Sequence, residues 1–281
     1  MVSVKSAQSV DQDGDKKMKI MPVNKAKVFN LLKVAVLATL LICISFSGAI
    51  ADTGDDLFAQ GNQAYAEGKY DEALSFYRRV IQKAGYSASL LYNMANAYYQ
   101  EKNVGQSILN YERALYLDPG NPDIQGNLAL ARKDFGLISD PVPSWQQFFD
   151  RLSLNGWAMV VSGAFGACSL LFLLRGIRPN IFRGAAVRTA VIASILILLT
   201  GGTGVALQYG NLGRGVVTRD DARLLVSPFD SAASAASIQD GKMVRMVKTY
   251  RDYVLVKGEN GQSGWIKKDA VQPVVPSGSY S

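Results

Sequence analysis

Side chains suited to covalent chemistry are scarce in this chain. It has no histidine, and its two cysteines, Cys43 and Cys168, both fall inside apolar runs. Imidazole acid–base catalysis is thereby excluded, and Cys/His metal centres and a disulfide framework have no support. Serines and carboxylates remain, but no Gly-Lys-Ser/Thr phosphate loop, nucleophile elbow or paired carboxylate dyad occurs at a recognisable spacing. The expectation is a non-enzymatic protein without catalytic residues, metal or cofactor. The densest charged cluster offers a different chemistry. RGIRPNIFRGAAVR (175–188) holds Arg175, Arg178, Arg183 and Arg188 and no acid, a guanidinium set suited to anions and above all to phosphate.

A formal net charge of +7 keeps nucleic acid open as a partner until the charge is located. Residues 1–51 contribute +4 and the arginine cluster another +4, so the rest of the chain carries a net −1. That is no electrostatic footprint for a phosphate backbone, and no nucleic-acid partner is expected.

The elements flanking the arginines explain them better. GWAMVVSGAFGACSLLFLL (156–174) and TAVIASILILLTGGTGVALQY (189–209) contain no charged residue, and each is about twenty residues long, enough to span a hydrocarbon core. They predict two transmembrane helices rather than core helices of a soluble domain, which usually keep a polar face. Trp157 and Tyr209 at the outer ends fit an aromatic belt. Gly163, Gly166, Gly201, Gly202 and Gly204 either let the helices approach closely or reflect loose packing. The arginines then occupy a short connection turned by Pro179 and Asn180, which the positive-inside rule places in the cytoplasm. Anionic lipid headgroups are a compatible ligand there. Both flanking regions are expected on the far side.

The N-terminus agrees with that orientation. Lysines up to Lys33, the run VAVLATLLICISF from Val34 and SGAIA at 47–51 predict a secretory signal peptide over 1–51, with cleavage between Ala51 and Asp52. Met18 and Met21 are alternative starts, and an uncleaved signal anchor is the alternative form.

Self-similarity at a period of 34 organises residues 52–140. LFAQGNQAYAEGKYDEALSFYRRVIQKAG (57–85) aligns without a gap on LYNMANAYYQEKNVGQSILNYERALYLDP (91–119). Leu57, Gln60, Gly61 and Ala64 recur as Leu91, Met94, Ala95 and Tyr98, while Ala73, Tyr77 and Val80 recur as Ser107, Tyr111 and Ala114. These are the packing stripes of helical hairpins, with small residues where helices cross closely. Gly68 marks the turn of the first unit, and Pro119, Gly120 and Asn121 end the second.

The pattern closely resembles the tetratricopeptide repeat family, with units at 54–87 and 88–121 and a partial third, 122–135, as a lone capping helix. The resemblance implies a peptide-binding groove lined by the first helices. Its positions here hold Phe58, Asn62, Tyr65, Tyr92, Asn93, Asn96, Tyr99 and Asn127. An asparagine amide can both donate to and accept from an extended backbone. The alternative is that these asparagines only cap and cross-link neighbouring helices. Relatives that clamp a C-terminal carboxylate carry Lys or Arg at flanking positions; Phe58, Asp123 and Asn127 stand there, so no such clamp is expected. Two and a half units are few for a stable stack. The amphipathic WQQFFDRLSL (145–154), within a linker at 141–155, a partner or self-association is expected to complete it.

From Arg214 the pattern changes to short alternating runs. VLVKGENGQSGWIKK reads as strand, Gly-containing turn and strand, and period-two alternation around Met243–Arg245 and Val254–Val256 predicts a small β-barrel over 212–275, followed by a tail, 276–281. The order Val217, Arg223, Ser227-Pro228, Gly241, Tyr253, Gly264-Trp265-Ile266 resembles the bacterial SH3-like domain. By that resemblance Tyr253 and Trp265 present a surface for a cell-wall or protein ligand; Trp265 as a core residue is the alternative.

The fold class expected is thus a multi-domain membrane protein: an all-α tetratricopeptide repeat solenoid, a two-helix transmembrane hairpin and a small all-β SH3-like barrel. This order resembles the BatE proteins of the Bacteroides aerotolerance operon. The resemblance implies an inner-membrane scaffold with both soluble domains in the periplasm. It also implies company with von Willebrand factor A domain membrane proteins and a MoxR-type ATPase. The alternative function is a cell-wall tether whose SH3-like domain binds peptidoglycan.

Overall fold

The computed structural model of the protein describes residues 54–137, 143–177 and 184–275. The expected signal peptide, Cys43, Arg178, Pro179, Asn180, Arg183 and the tail from 276 lie outside the described residues. From Asp52 onward the chain forms one compact unit.

Five helices build the repeat region: α1 (Asp55–Ala66), α2 (Tyr70–Ala84), α3 (Ala88–Gln100), α4 (Val104–Leu117) and α5 (Pro122–Asp134). Their starts follow from the sequence. The Ser87 side chain accepts from the Leu90 N–H, Asn103 from Gln106, and Asn121 from Asp123 and Ile124 with Pro122 at the first helical position. The turns between paired helices need a left-handed residue, supplied by Gly68 (φ 76°) and, 34 positions on, by Lys102 (φ 58°). Gly61 lets α1 close on α2: a Cβ there would lie 2.5 Å from the Tyr77 ring. Apart from Gln60, which is exposed, the stripes read from the sequence are the core, with Leu57, Ala64, Ala73, Leu74, Tyr77 and Val80 buried together with Leu90 and Met94.

A short helix, α6 (Ser144–Phe149), leads into α7 (Leu154–Ile177) and α8 (Ala185–Gly210), two helices long and apolar enough to cross a membrane. Only 6% and 17% of their most apolar stretches are buried within the protein, unlike the core helices of a soluble domain. They pack on each other through glycines near one end. A Cβ at Gly201 would lie 2.7 Å from a Val161 methyl, and one at Gly204 would lie 2.3 Å from the Trp157 ring. Gly163, Gly166 and Gly202 have no such neighbour, so close approach is confined to the end nearest the soluble part.

Seven strands follow: β1 (Arg214–Val217), β2 (Ala222–Leu225), β3 (Ser234–Ile238), β4 (Met243–Tyr250), β5 (Tyr253–Gly258), β6 (Ser263–Lys267) and β7 (Val271–Pro273). They form one curled antiparallel sheet in the order β3-β2-β6-β5-β4-β1-β7. Its hydrophobic core holds Val217, Leu224, Val244, Val254, Val256 and Ile266. The Gly264-Trp265-Ile266 sequence has a packing reason: a Cβ at Gly264 would sit 2.8 Å from the Leu224 Cβ of the neighbouring strand.

The sheet, rather than the 145–154 segment, completes the truncated repeat stack. Val216, Met243 and Val274 share one core with Ala95, Ile108, Leu109, Leu128 and Leu137. They cover α4, the second helix of the second repeat. The contact is close at two glycines. At Gly105 a Cβ would meet the Thr218 Cα at 2.6 Å, and at Gly241 (φ 77°) it would meet Leu137 at 2.5 Å and Val104 at 2.9 Å. Arg113 donates from Nε (3.3 Å) and Nη2 (3.0 Å) to the Pro273 carbonyl, occupying the free edge of β7. Glu112, only 4% exposed, is held between Arg132 of α5 and Arg214 of β1, the latter at 3.1 Å.

One carboxylate in this interface is under tension. The Gly105 N–H donates to Asp240 Oδ2 at 3.3 Å, while burial and then the Asp220 charge raise the Asp240 carboxyl above its usual range. A folded-state value above the unfolded one means the contribution is complete below pH ~3.9 and is lost as pH rises through the folded value. Asp240→Asn keeps an oxygen for Gly105 and offers an N–H to Asp220. It is expected to raise the thermal midpoint at neutral pH by about 2 °C, with no gain at pH ~3.5. Thermal melts of both proteins between these pH values measure it.

Candidate protein-binding groove

The first helices of the repeats, α1, α3 and α5, carry the expected groove residues on one side, and an asparagine–tyrosine lattice joins them. Tyr77 OH donates to Asn62 Oδ1 at 2.9 Å, and Asn93 Nδ2 donates to the same oxygen at 2.8 Å. One repeat later Tyr111 OH donates to Asn96 Oδ1 at 2.5 Å, and Asn127 Nδ2 lies 3.5 Å from that oxygen and donates to Tyr92 OH at 2.6 Å. The same pair of roles thus recurs 34 residues apart: the second-helix tyrosine supports the first-helix asparagine, and the next repeat's asparagine reaches back. The asparagines do cross-link neighbouring helices.

The lattice also bounds a cavity of about 160 Å³ lined by Asn62, Tyr65, Tyr77, Asn93 and Asn96. Aromatic rings wall it and extend it along the stack. Phe58 packs on Tyr77 at 6.0 Å between ring centres, Tyr65 on Tyr70 at 5.4 Å, Tyr92 on Tyr111 at 6.1 Å and Tyr99 on Phe135 at 5.4 Å. Tyr99 OH donates to Asp134 Oδ2 at 2.5 Å, closing the far end. Burial pushes the Tyr77 phenol up to about 12 and raises Tyr111 and Tyr65 as well. Each is therefore a neutral hydroxyl at physiological pH. The surface combines flat aromatic faces with amide and hydroxyl groups and no cation, which suits an uncharged extended backbone better than a terminal carboxylate.

On the sheet the two expected ligand residues lie diagonally on one face, Tyr253 paired with Lys267 and Trp265 with Leu255. Tyr253 is 5% exposed, and its hydroxyl donates to Asp230 Oδ1 at 2.7 Å. That contact forms part of a polar cavity of about 550 Å³ with Asp252, Lys267, Lys268 and Asp269. Trp265 is half-buried and belongs to an aromatic row: Tyr250 meets it edge-on at 6.4 Å, and Phe229 meets Tyr250 at 6.4 Å. Phe229 is 51% exposed, and the Arg251 guanidinium lies over the Tyr250 ring at 5.5 Å. Tyr250 and Phe229 were not among the residues singled out from the sequence, and neither were Tyr77 and Tyr111 as supports of the groove. For the last two a signal existed, because both stand at one position of the 34-residue period. Of the four arginines, Arg175 and Arg188 are exposed at the ends of α7 and α8.

Residues 64–108, from the end of α1 into α4, match the tetratricopeptide repeat family. No curated protein matches the chain at a significant level. That family is typically a non-enzymatic protein-interaction module, so the repeats point to protein partners.

Proposed function

We propose that the protein is a non-enzymatic inner-membrane scaffold, held by the α7–α8 hairpin, with the repeat region and an SH3-like sheet together in the periplasm. An extended segment of a protein partner binds along Phe58, Asn62, Tyr65, Tyr92, Asn93, Asn96, Tyr99 and Asn127. The observation that carries this reading is the lattice itself: Asn62 and Asn96 turn their side-chain oxygens inward to Tyr77 and Tyr111. A partner carbonyl approaching the groove meets their amide N–H groups at equivalent places one repeat apart. The hairpin and the order of the parts support a BatE-like role in envelope stress and aerotolerance, beside von Willebrand factor A domain membrane proteins and a MoxR-type ATPase. Exposed Arg175 and Arg188, with Arg178 and Arg183 between them, are the topology determinants in the cytoplasmic connection.

The row Phe229–Tyr250–Trp265 favours a second reading, in which the sheet tethers the protein to peptidoglycan by stacking on its ligand. Photo-crosslinking amino acids at Tyr65, Tyr99 and Tyr250 in the full-length protein in cells separate the two. The groove reading predicts discrete protein adducts from 65 and 99 and none from exposed Arg79 on α2. The tether reading predicts muramidase-sensitive adducts from 250. Equal adduct yields from 65, 99 and 79 would contradict the groove.

A further inference from the structure

We infer that α6 is an interfacial anchor that lies in the headgroup layer of a bilayer, with Trp145, Phe148 and Leu152 seated on lipid. The inference rests on the reading of α7 and α8 as a membrane hairpin and adds to it a surface contact by a segment that spans nothing. The sequence spacing comes first. Trp145, Phe148, Phe149 and Leu152 recur at i, i+3, i+4 and i+7, one apolar face of a helical turn and its exit. Three of the four are left uncovered: Trp145 is 58% exposed, Phe148 49% and Leu152 38%. The repeat stack makes no use of this face, because the sheet covers α4 instead.

The position of the face identifies its occupant. The Phe149 carbonyl accepts from Trp157 Nε1 at 2.9 Å and from Gln208 Nε2 at 3.2 Å, and Gln208 also donates to Asp150 Oδ1 at 3.3 Å. These bonds fasten α6 to the first turn of α7 and the last turn of α8 together. The Phe148 and Phe149 rings pack on Trp157 at 6.0 and 5.5 Å. Met159, 74% exposed, follows Trp157 by two residues, about 3 Å along the helix axis. Tyr209, 68% exposed, closes the other helix at the same end. A bilayer that covers Met159 therefore reaches the ring contacting Phe148, and the apolar face of α6 continues the lipid-facing surface of the hairpin. Tryptophan and phenylalanine at that depth are the side chains an interfacial helix uses.

Spin labels on the full-length protein in nanodiscs of phosphatidylethanolamine and phosphatidylglycerol test this, after Cys43→Ser and Cys168→Ala. Trp145→Cys and Leu152→Cys report on α6, Phe165→Cys on the span and Lys83→Cys on water. The expected accessibility ratio of oxygen to a polar nickel chelate is lowest at 83, severalfold higher at 145 and 152, and highest at 165. A ratio at 145 and 152 equal to that at 83, with 165 still highest, overturns the anchor and leaves the hairpin standing. Shielding of 145 and 152 from both reagents also overturns it, since a protein then covers the face. A ratio at 165 equal to that at 83 removes the hairpin and the anchor with it.

Discussion

Replacing both Arg132 and Arg214 with methionine is expected to cost about 3–5 kcal/mol of stability, or roughly 10 °C in the thermal midpoint. Glu112 is 4% exposed, and these two guanidiniums are the partners that compensate its charge. Taking both away leaves a nearly buried carboxylate in the joint between α4, α5 and β1 without either guanidinium. The reverse change is milder. In Glu112→Gln the arginines, with side chains 26% and 36% exposed, turn outward to solvent, and the loss is about 1–2 kcal/mol. The order of the two losses, read by melts of purified protein in detergent, distinguishes a structural ion cluster from a decorative one. Arg214 follows α8 by only four residues, so the same cluster ties the repeats to the exit of the hairpin.

Gly105→Val is the second change with a large expected effect. The nearest atoms to its new Cβ are backbone, the Thr218 Cα at 2.6 Å and the Val217 carbonyl oxygen at 2.9 Å, and β1 cannot yield without leaving the repeat core. Overpacking of this kind costs about 1–3 kcal/mol. Here the loss is concentrated at one joint: hydrogen exchange is expected to quicken in β1 and β4 while α1 and α2 stay protected. Gly126→Ala is the control. A Cβ at Gly126 meets nothing within 4 Å, and the change is expected to gain up to about 1 kcal/mol from helix propensity.

What the sequence disclosed follows the range of the interactions involved. The helical hairpins were legible because their contacts fall within one repeat: Gly61 against Tyr77 and the left-handed turn at Gly68 lie within 16 residues of one another. The apolar helices were legible from length alone. The joint between repeats and sheet was not, because it depends on pairs such as Glu112 with Arg214, 102 residues apart, and Gly105 with Asp240, 135 apart. No local period marks such pairs. On the sheet the resemblance named Tyr253 and Trp265, while Tyr250 beside them was not singled out. The β4–β5 register shifts between Met246 and Lys248, and Tyr250, paired with Tyr253 across the turn, is the tyrosine that meets Trp265. In the groove the asparagine positions were visible, while their partners lay on the second helices. The choice between binding and cross-linking therefore turned on hydrogen bonds the sequence does not display.

In the proposed arrangement the repeats and the sheet form one unit on the outer side of a membrane crossed by α7 and α8. Cysteine labelling with a membrane-impermeant maleimide tests it most directly, in intact spheroplasts carrying Ser75→Cys, Asn180→Cys or Asn260→Cys in a background without Cys43 and Cys168. Positions 75 and 260 are expected to label in intact spheroplasts, and position 180 only after permeabilisation. Labelling of 75 and 260 on opposite sides, or of all three on the same side, would contradict the arrangement.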